Sequence, residues 1–151
     1  MSKKIETKPV ERICYLNYHR RAEEFHKAME TEREASGFNS ACLLGIHASI
    51  ALSDSLAIHT FAVRFAGENH VEAIKIIERV CDKKRIDQEG LRHLRRILSE
   101  KTSISYGEKF SSSETEILKN TYLHVGKYFN WAYSNFKDWA NSLKMENQNE
   151  S

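Results

Sequence analysis

Residues 41–77 read ACLLGIHASIALSDSLAIHTFAVRFAGENHVEAIKII, and the spacing of their apolar positions decides the fold class. Ala41, Leu44, Ala48, Ala51, Ser55, Ile58, Ala62 and Phe65 step by three and four residues, so they line one stripe of a helix. Leu43, Ile46, Ile50, Ala57 and Phe61 cover the neighbouring face, which a surface helix would leave polar. The spacing therefore predicts a central helix, apolar nearly all round, whose small side chains let neighbouring backbones come close. Gly67 followed by Asn69, His70, Val71 and Glu72 predicts a stop and a fresh helix start, with Asn69 as the cap and Glu72 answering it.

Before this stretch, a first helix is expected from Pro9, a residue suited to an opening turn, to about Ser36, where Gly37 can end it. Its apolar face is Ile13, Leu16, Ala22, Phe25 and Met29, and residues 1–8 are expected to form a flexible tail. After the stretch, a third helix is expected from His70 to about Cys81, with Val71, Ile74 and Ile77 facing inward. A polar corner DKKRID follows, then a fourth helix from about Asp87 to Lys101 through Leu91, Leu94, Ile97 and Leu98. Beyond a loop through Tyr106, Gly107 and residues 111–113, Ser113 and Glu116 make a capping box. The last helix carries the clearest repeat of the chain: Leu118, Tyr122, Val125, Phe129, Ala132, Phe136, Ala140 and Leu143. Residues 146–151 offer nothing to bury and are expected to be disordered. The chain has one proline and no alternating Val/Ile/Thr-rich run bounded by turn residues, so the expectation is a single all-α domain over residues 9–145.

With 151 residues, 40% of them hydrophobic and 29% charged, the chain can bury one real core. A net charge of +2 does not demand a nucleic-acid partner, although a local basic patch can still bind one. Cys14, Cys42 and Cys81 lie far apart with no CxxC pair, which suits reduced thiols and a cytoplasmic location. The opening MSKKIETKPVER lacks an apolar signal core. No membrane span is expected either: His47, Ser49, Ser53, Asp54, His59 and Thr60 in the central helix would be expensive in hydrocarbon.

Metal chemistry needs ligands at set spacings, and the histidines here do not provide them. Glu23-x-x-His26 is the only Glu-x-x-His match and there is no HExxH, so no resident metal or other cofactor is expected. In the last helix, Tyr122, Phe129 and Phe136 fall on the buried stripe, with Tyr128 and Trp131 beside it at a place suited to a subunit interface. A base-stacking platform is the alternative for these rings. Lys83, Lys84, Arg85, Arg92, Arg95 and Arg96 form a basic cluster interleaved with Asp82, Asp87 and Glu89, either a solvated face or a phosphate-binding surface.

The junction from Arg64 to His70 is chemically richer. With Asn69 as cap, His70 enters the first turn of a helix, where the positive dipole end disfavours imidazolium and leaves a neutral ring able to accept a proton. Arg64 can reach the same point and hold a phosphate by its planar fork. Together they could cleave RNA without a metal, His70 drawing the ribose 2′-hydroxyl proton and Arg64 neutralising charge on the phosphate. The alternative is structural: Arg64 is a favourable cation at a helix C-terminus, free to pair with Glu68 or Asp54. Asp54, His47 and His59 are costly inside a bundle unless paired, and both a subunit contact and a ligand pocket fit them.

The segments ACLLGIHASIALSDSLAIHTFAVRFAGENHVEAIKII, LRRILSEKTSISYG and ILKNTYLHVGKYFNWAYSNF together resemble successive parts of a HEPN (higher eukaryotes and prokaryotes nucleotide-binding) domain, over roughly residues 39–137. The resemblance implies a four-helix up-and-down bundle with an additional short helix, usually a homodimer. It also implies RNA or nucleotide binding and, in many members, metal-independent ribonuclease activity in toxin–antitoxin systems with a small nucleotidyltransferase partner. Family ribonucleases carry an arginine, four to six residues, then a histidine, which Arg64 and His70 match as catalytic residues. Asn69, Lys83, Lys84 and Arg85 are then candidate RNA- or nucleotide-binding residues. Two departures stand out: Phe65 follows the arginine, and the motif lies between the second and third helices. In the family it generally lies near the last helix, where this chain has His124 with no arginine before it. A catalytic domain and a non-catalytic interaction module both remain open at this point.

Overall fold

The computed structural model describes residues 5–105 and 114–149. The elements run β1 (Thr7–Pro9), α1 (Tyr15–Glu34), α2 (Phe38–Phe61), β2 (Val63–Phe65), α3 (Ala73–Lys84), α4 (Leu91–Ser105), α5 (Glu114–Asn135) and α6 (Lys137–Asn149), with 3-10 turns at Arg12–Cys14 and His70–Glu72. Among the described residues the fold is all-α apart from one two-stranded ladder.

Side-chain pairings fix the helix directions. Tyr15 meets Ser55 and Met29 meets Gly45, so α1 and α2 are antiparallel. His19 meets Tyr133 and His26 stacks on Phe129, so α5 is also antiparallel to α1. His93 meets His124, and Gly90 abuts Trp131, so α4 opposes α5. The four long helices α1, α2, α4 and α5 thus alternate in direction along the chain as an up-and-down bundle, with α3 as the short extra helix. The core joins Ala22 and Met29 of α1 to Ile46, Leu52, Leu56 and Ile58 of α2, with Leu91 and Leu94 of α4 and Val125 of α5.

The central helix is α2, as its all-round apolar pattern predicts, with 14 of its 24 residues buried. It is long and apolar enough to cross a membrane by length and composition, yet 72% of that window is buried inside the fold. Its hydroxyls are absorbed internally. Ser49 and Ser53 donate to the carbonyls four residues back, and Ser53 also shares a 2.6 Å bond with the Tyr128 hydroxyl.

Several local expectations are corrected. Pro9 does not open a helix: it ends β1, paired with Val63, and α1 starts only at Tyr15. Residues 5–8 are not a free tail, because Ile5 is buried and Thr7 and Lys8 pair with Phe65 and Arg64. The α2 helix ends at Phe61 rather than near Gly67. Ala62 takes a left-handed turn at φ 56° and its N–H caps Ile58 O at 2.8 Å. Apolar periodicity carries on through Phe65 because a buried strand and a buried helix ask for the same residue types. Val71, expected inside, is half exposed, and Asn69 receives the Val71 N–H without a reply from Glu72. The last helix is broken at Phe136 into α5 and α6, although Phe136 N–H still reaches Ala132 O at 3.0 Å. Asn135 donates from its side chain to Trp131 O there, offering the backbone a competing partner. Helix α6 continues to Asn149, past the expected end of the domain at Met145. The proposed box at Ser113, like Tyr106, Gly107 and residues 111–112, lies outside the described residues.

Candidate functional site

The link from α2 to α3 is built by a clasp from the amino end. After the left-handed Ala62 the chain turns into β2, which pairs antiparallel with β1 in the register Thr7↔Phe65, Lys8↔Arg64, Pro9↔Val63. Two further bonds extend the ladder, Val10 N–H to Ala62 O at 2.9 Å and Ala66 N–H to Glu6 O at 3.0 Å. Phe65 packs with Ile5, Ala57, Ala73 and Ile76 in a small second core. Its ring also lies against Gly67, where an added Cβ would come within 2.7 Å of Phe65 Cζ. Asn69 Oδ1 then accepts the Val71 N–H at 3.1 Å, so His70 enters a 3-10 turn leading into α3.

Arg64 and His70 consequently line one cavity of about 50 Å³ together with Ser53 and Asp54 of α2. Ile50, Leu94 and Leu98 supply apolar wall, and the rings of Phe65 and His70 stand 5.9 Å apart. Arg64 Nη1 donates to Phe65 O at 3.2 Å, which ties the guanidinium back to its own strand. Burial pushes the Asp54 carboxyl up to about 7, against the opposing pull of the Arg64 charge, the Phe65 backbone N–H and Arg21. A cation, an imidazole and a carboxylic acid that changes charge near neutrality therefore share one enclosure, a combination suited to proton transfer beside an anion.

The other sequence-derived site residues separate. Asn69 is exposed and acts as the cap of the His70 turn. Lys83, Lys84 and Arg85 sit at the opposite end of α3, a helix about 18 Å long at 1.5 Å per residue. Arg85, at φ 57°, terminates that helix, and Lys84 lines a different, more open cavity of about 150 Å³ with Asn135, Lys137 and Asp138. The structure does not bring residues 83–85 to Arg64 and His70. Elsewhere in the basic cluster, Arg92 pairs with Glu89 at 2.7 Å and Arg95 with Glu78 at 2.9 Å, as a solvated, charge-interleaved face would.

Tyr128 and Trp131, expected beside a subunit interface, are buried inside the chain and stacked on each other at 5.9 Å. The three polar residues of α2 also part company. Asp54 joins the cavity, His47 is exposed beside Phe25, and His59 is buried against Tyr15 at 4.8 Å. Among the described residues no three His, Cys, Asp or Glu side chains gather closely enough to hold a metal ion.

Asp54 lies outside the arginine-to-histidine motif, yet it lines the same cavity. The sequence carries a signal for it, because it is the one carboxylate in a helix that has no lysine or arginine. Comparison of the chain with protein-family models, curated proteins and solved structures finds no match.

Proposed function

We propose that this protein is an RNA-binding helical domain that cleaves phosphodiester bonds without a metal, acting as a homodimer in the cytoplasm, in line with its HEPN resemblance. The observation that carries this reading is the convergence of Arg64 and His70 on one cavity. Its size sets how a substrate would bind. A volume of about 50 Å³ takes one phosphoryl-sized group, far short of the roughly 300 Å³ that a whole small ligand needs. The phosphate enters and the ribose and bases stay on the surface. Arg64 then meets the phosphate oxygens and His70 takes the 2′-hydroxyl proton, giving a 2′,3′-cyclic phosphate end.

Cleavage of single-stranded RNA in the presence of a chelator tests the reading. His70→Ala should lower the rate by about 10²–10⁴-fold and Arg64→Gln by about 10²–10³-fold, with the fold intact by circular dichroism. Cleavage unchanged by His70→Ala would falsify it.

A second reading, a non-catalytic module partnering a small nucleotidyltransferase, is favoured by the bond from Arg64 to Phe65 O, which gives the arginine a structural task. Under that reading Arg64→Gln lowers stability and the unaltered protein cuts no RNA.

A further inference from the structure

The proposed cleavage needs a second proton transfer, because the departing ribose 5′-oxygen must be protonated as its bond to phosphorus breaks. We infer that Asp54 is the general acid of this site, delivering that proton from within the cavity it shares with Arg64 and His70. The inference rests on the ribonuclease reading and deepens it.

The neighbours of Asp54 leave it as the fitting donor. Ser53 is occupied by the Ser49 carbonyl and the Tyr128 hydroxyl. The Tyr128 phenol is buried and pushed well above its ordinary range, so it holds its proton. The Arg64 guanidinium is committed to the phosphate oxygens and to Phe65 O. His70 is spent on the 2′-hydroxyl. Around Asp54, β2 contributes the Arg64 charge and the Phe65 N–H, α1 contributes Arg21, and α4 closes the cavity with the apolar Leu94 and Leu98. Burial outweighs the cations and holds the carboxyl protonated up to about 7. A phosphodiester anion entering the cavity disfavours the carboxylate further.

The step balances. His70 takes the 2′-hydroxyl proton, the 2′-oxygen bonds to phosphorus, the bond from phosphorus to the 5′-oxygen breaks, and Asp54 gives its proton to that oxygen. The products are a cyclic phosphate and a 5′-hydroxyl, and solvent returns His70 and Asp54 to their starting forms.

A leaving-group swap separates this role from a structural one. Asp54→Asn should lower kcat on ordinary RNA by about 10²-fold with KM nearly unchanged. An RNA whose scissile 5′-oxygen is replaced by sulfur departs as a thiolate and needs no acid. On it the Asp54→Asn protein should recover to within about fivefold of the unaltered protein, and His70→Ala should stay impaired on both substrates. The alkaline limb of the rate profile, which begins near pH 7, should vanish in Asp54→Asn. Equal losses on both substrates, or no loss on ordinary RNA, overturn the role of Asp54 while leaving the ribonuclease reading standing. Failure of the unaltered protein to cut either substrate overturns both.

Discussion

The indole N–H of Trp139 donates to the Ser55 hydroxyl at 2.9 Å, and that hydroxyl donates in turn to the Tyr15 carbonyl at 2.8 Å. One buried serine thereby ties α6 and α1 to the central helix. Ser55→Ala leaves a buried indole N–H with no acceptor, and should cost about 1–3 kcal/mol in urea unfolding. Ser99→Ala, which removes an exposed hydroxyl bonded to Arg96 O, serves as the control and should change stability by less than about 0.5 kcal/mol.

Two glycines should respond in opposite directions. A Cβ at Gly90 would collide with the Trp131 indole, in a buried contact between the residue before α4 and the end region of α5. Gly90→Ala should therefore cost about 2–3 kcal/mol. Gly126 sits inside α5 with nothing within 4 Å of an added Cβ, and Gly126→Ala should stabilise by about 0.5–1 kcal/mol. Thermal melts of the two variants check the contrast.

His59 should make the protein acid-sensitive. Burial, followed by the charges of Lys84 and Arg12, lowers its pKa from 6.5 to about 4, so the unfolded chain binds a proton that the folded one refuses. Stability from this ring is complete above about pH 6.5 and is lost as pH falls towards about 4. Unfolding from about pH 7 to about pH 4.5 should show a loss on the order of 1–2 kcal/mol, smaller in His59→Phe. His93, also lowered by burial and by His124 3.0 Å away, adds to the slope in the same direction.

Asp54 should act with the opposite sign. Its folded pKa is raised from 3.8 to about 7, so its stabilising effect is complete below about pH 3.8 and is lost as pH rises through about 7. At about pH 8 the ionised carboxylate is held in a poorly solvated cavity, and Asp54→Asn should be more stable than the unaltered protein by about 1–3 kcal/mol. A variant that gains stability and loses cleavage would mark a carboxyl kept for chemistry. Stability curves at about pH 5 and about pH 8 give the comparison.

Much of the architecture was legible because helix periodicity is a local property. The all-round apolar run at residues 41–61 announced the buried α2, and the repeat from Leu118 to Leu143 announced the pair α5 and α6. The break at Phe136 leaves no mark in the sequence, because the apolar stripe continues through it and the bonds Phe136 N–H to Ala132 O and Ala140 N–H to Phe136 O persist across it. Strand β1 was missed because TKP has no strand pattern of its own and exists only by pairing with residues 63–65.

The candidate site divides the same way. Spacing alone placed Arg64 and His70 on either side of a break and made Asn69 the cap, since turns and caps are written in neighbouring residues. Lys83, Lys84 and Arg85 lie at the far end of α3 from Arg64 and His70; spacing in sequence says nothing about which end of a helix faces a cavity. Interactions within a few residues suffice to set an all-α chain, its central helix and the cap before His70. Tertiary structure alone decided that the break falls at Ala62, that an amino-terminal strand clasps β2, and that Asp54 joins Arg64 and His70 in one enclosure. Those outcomes rest on contacts between segments distant in the chain, and both the burial that retunes a carboxyl and the pairing that creates a strand arise only when such segments meet.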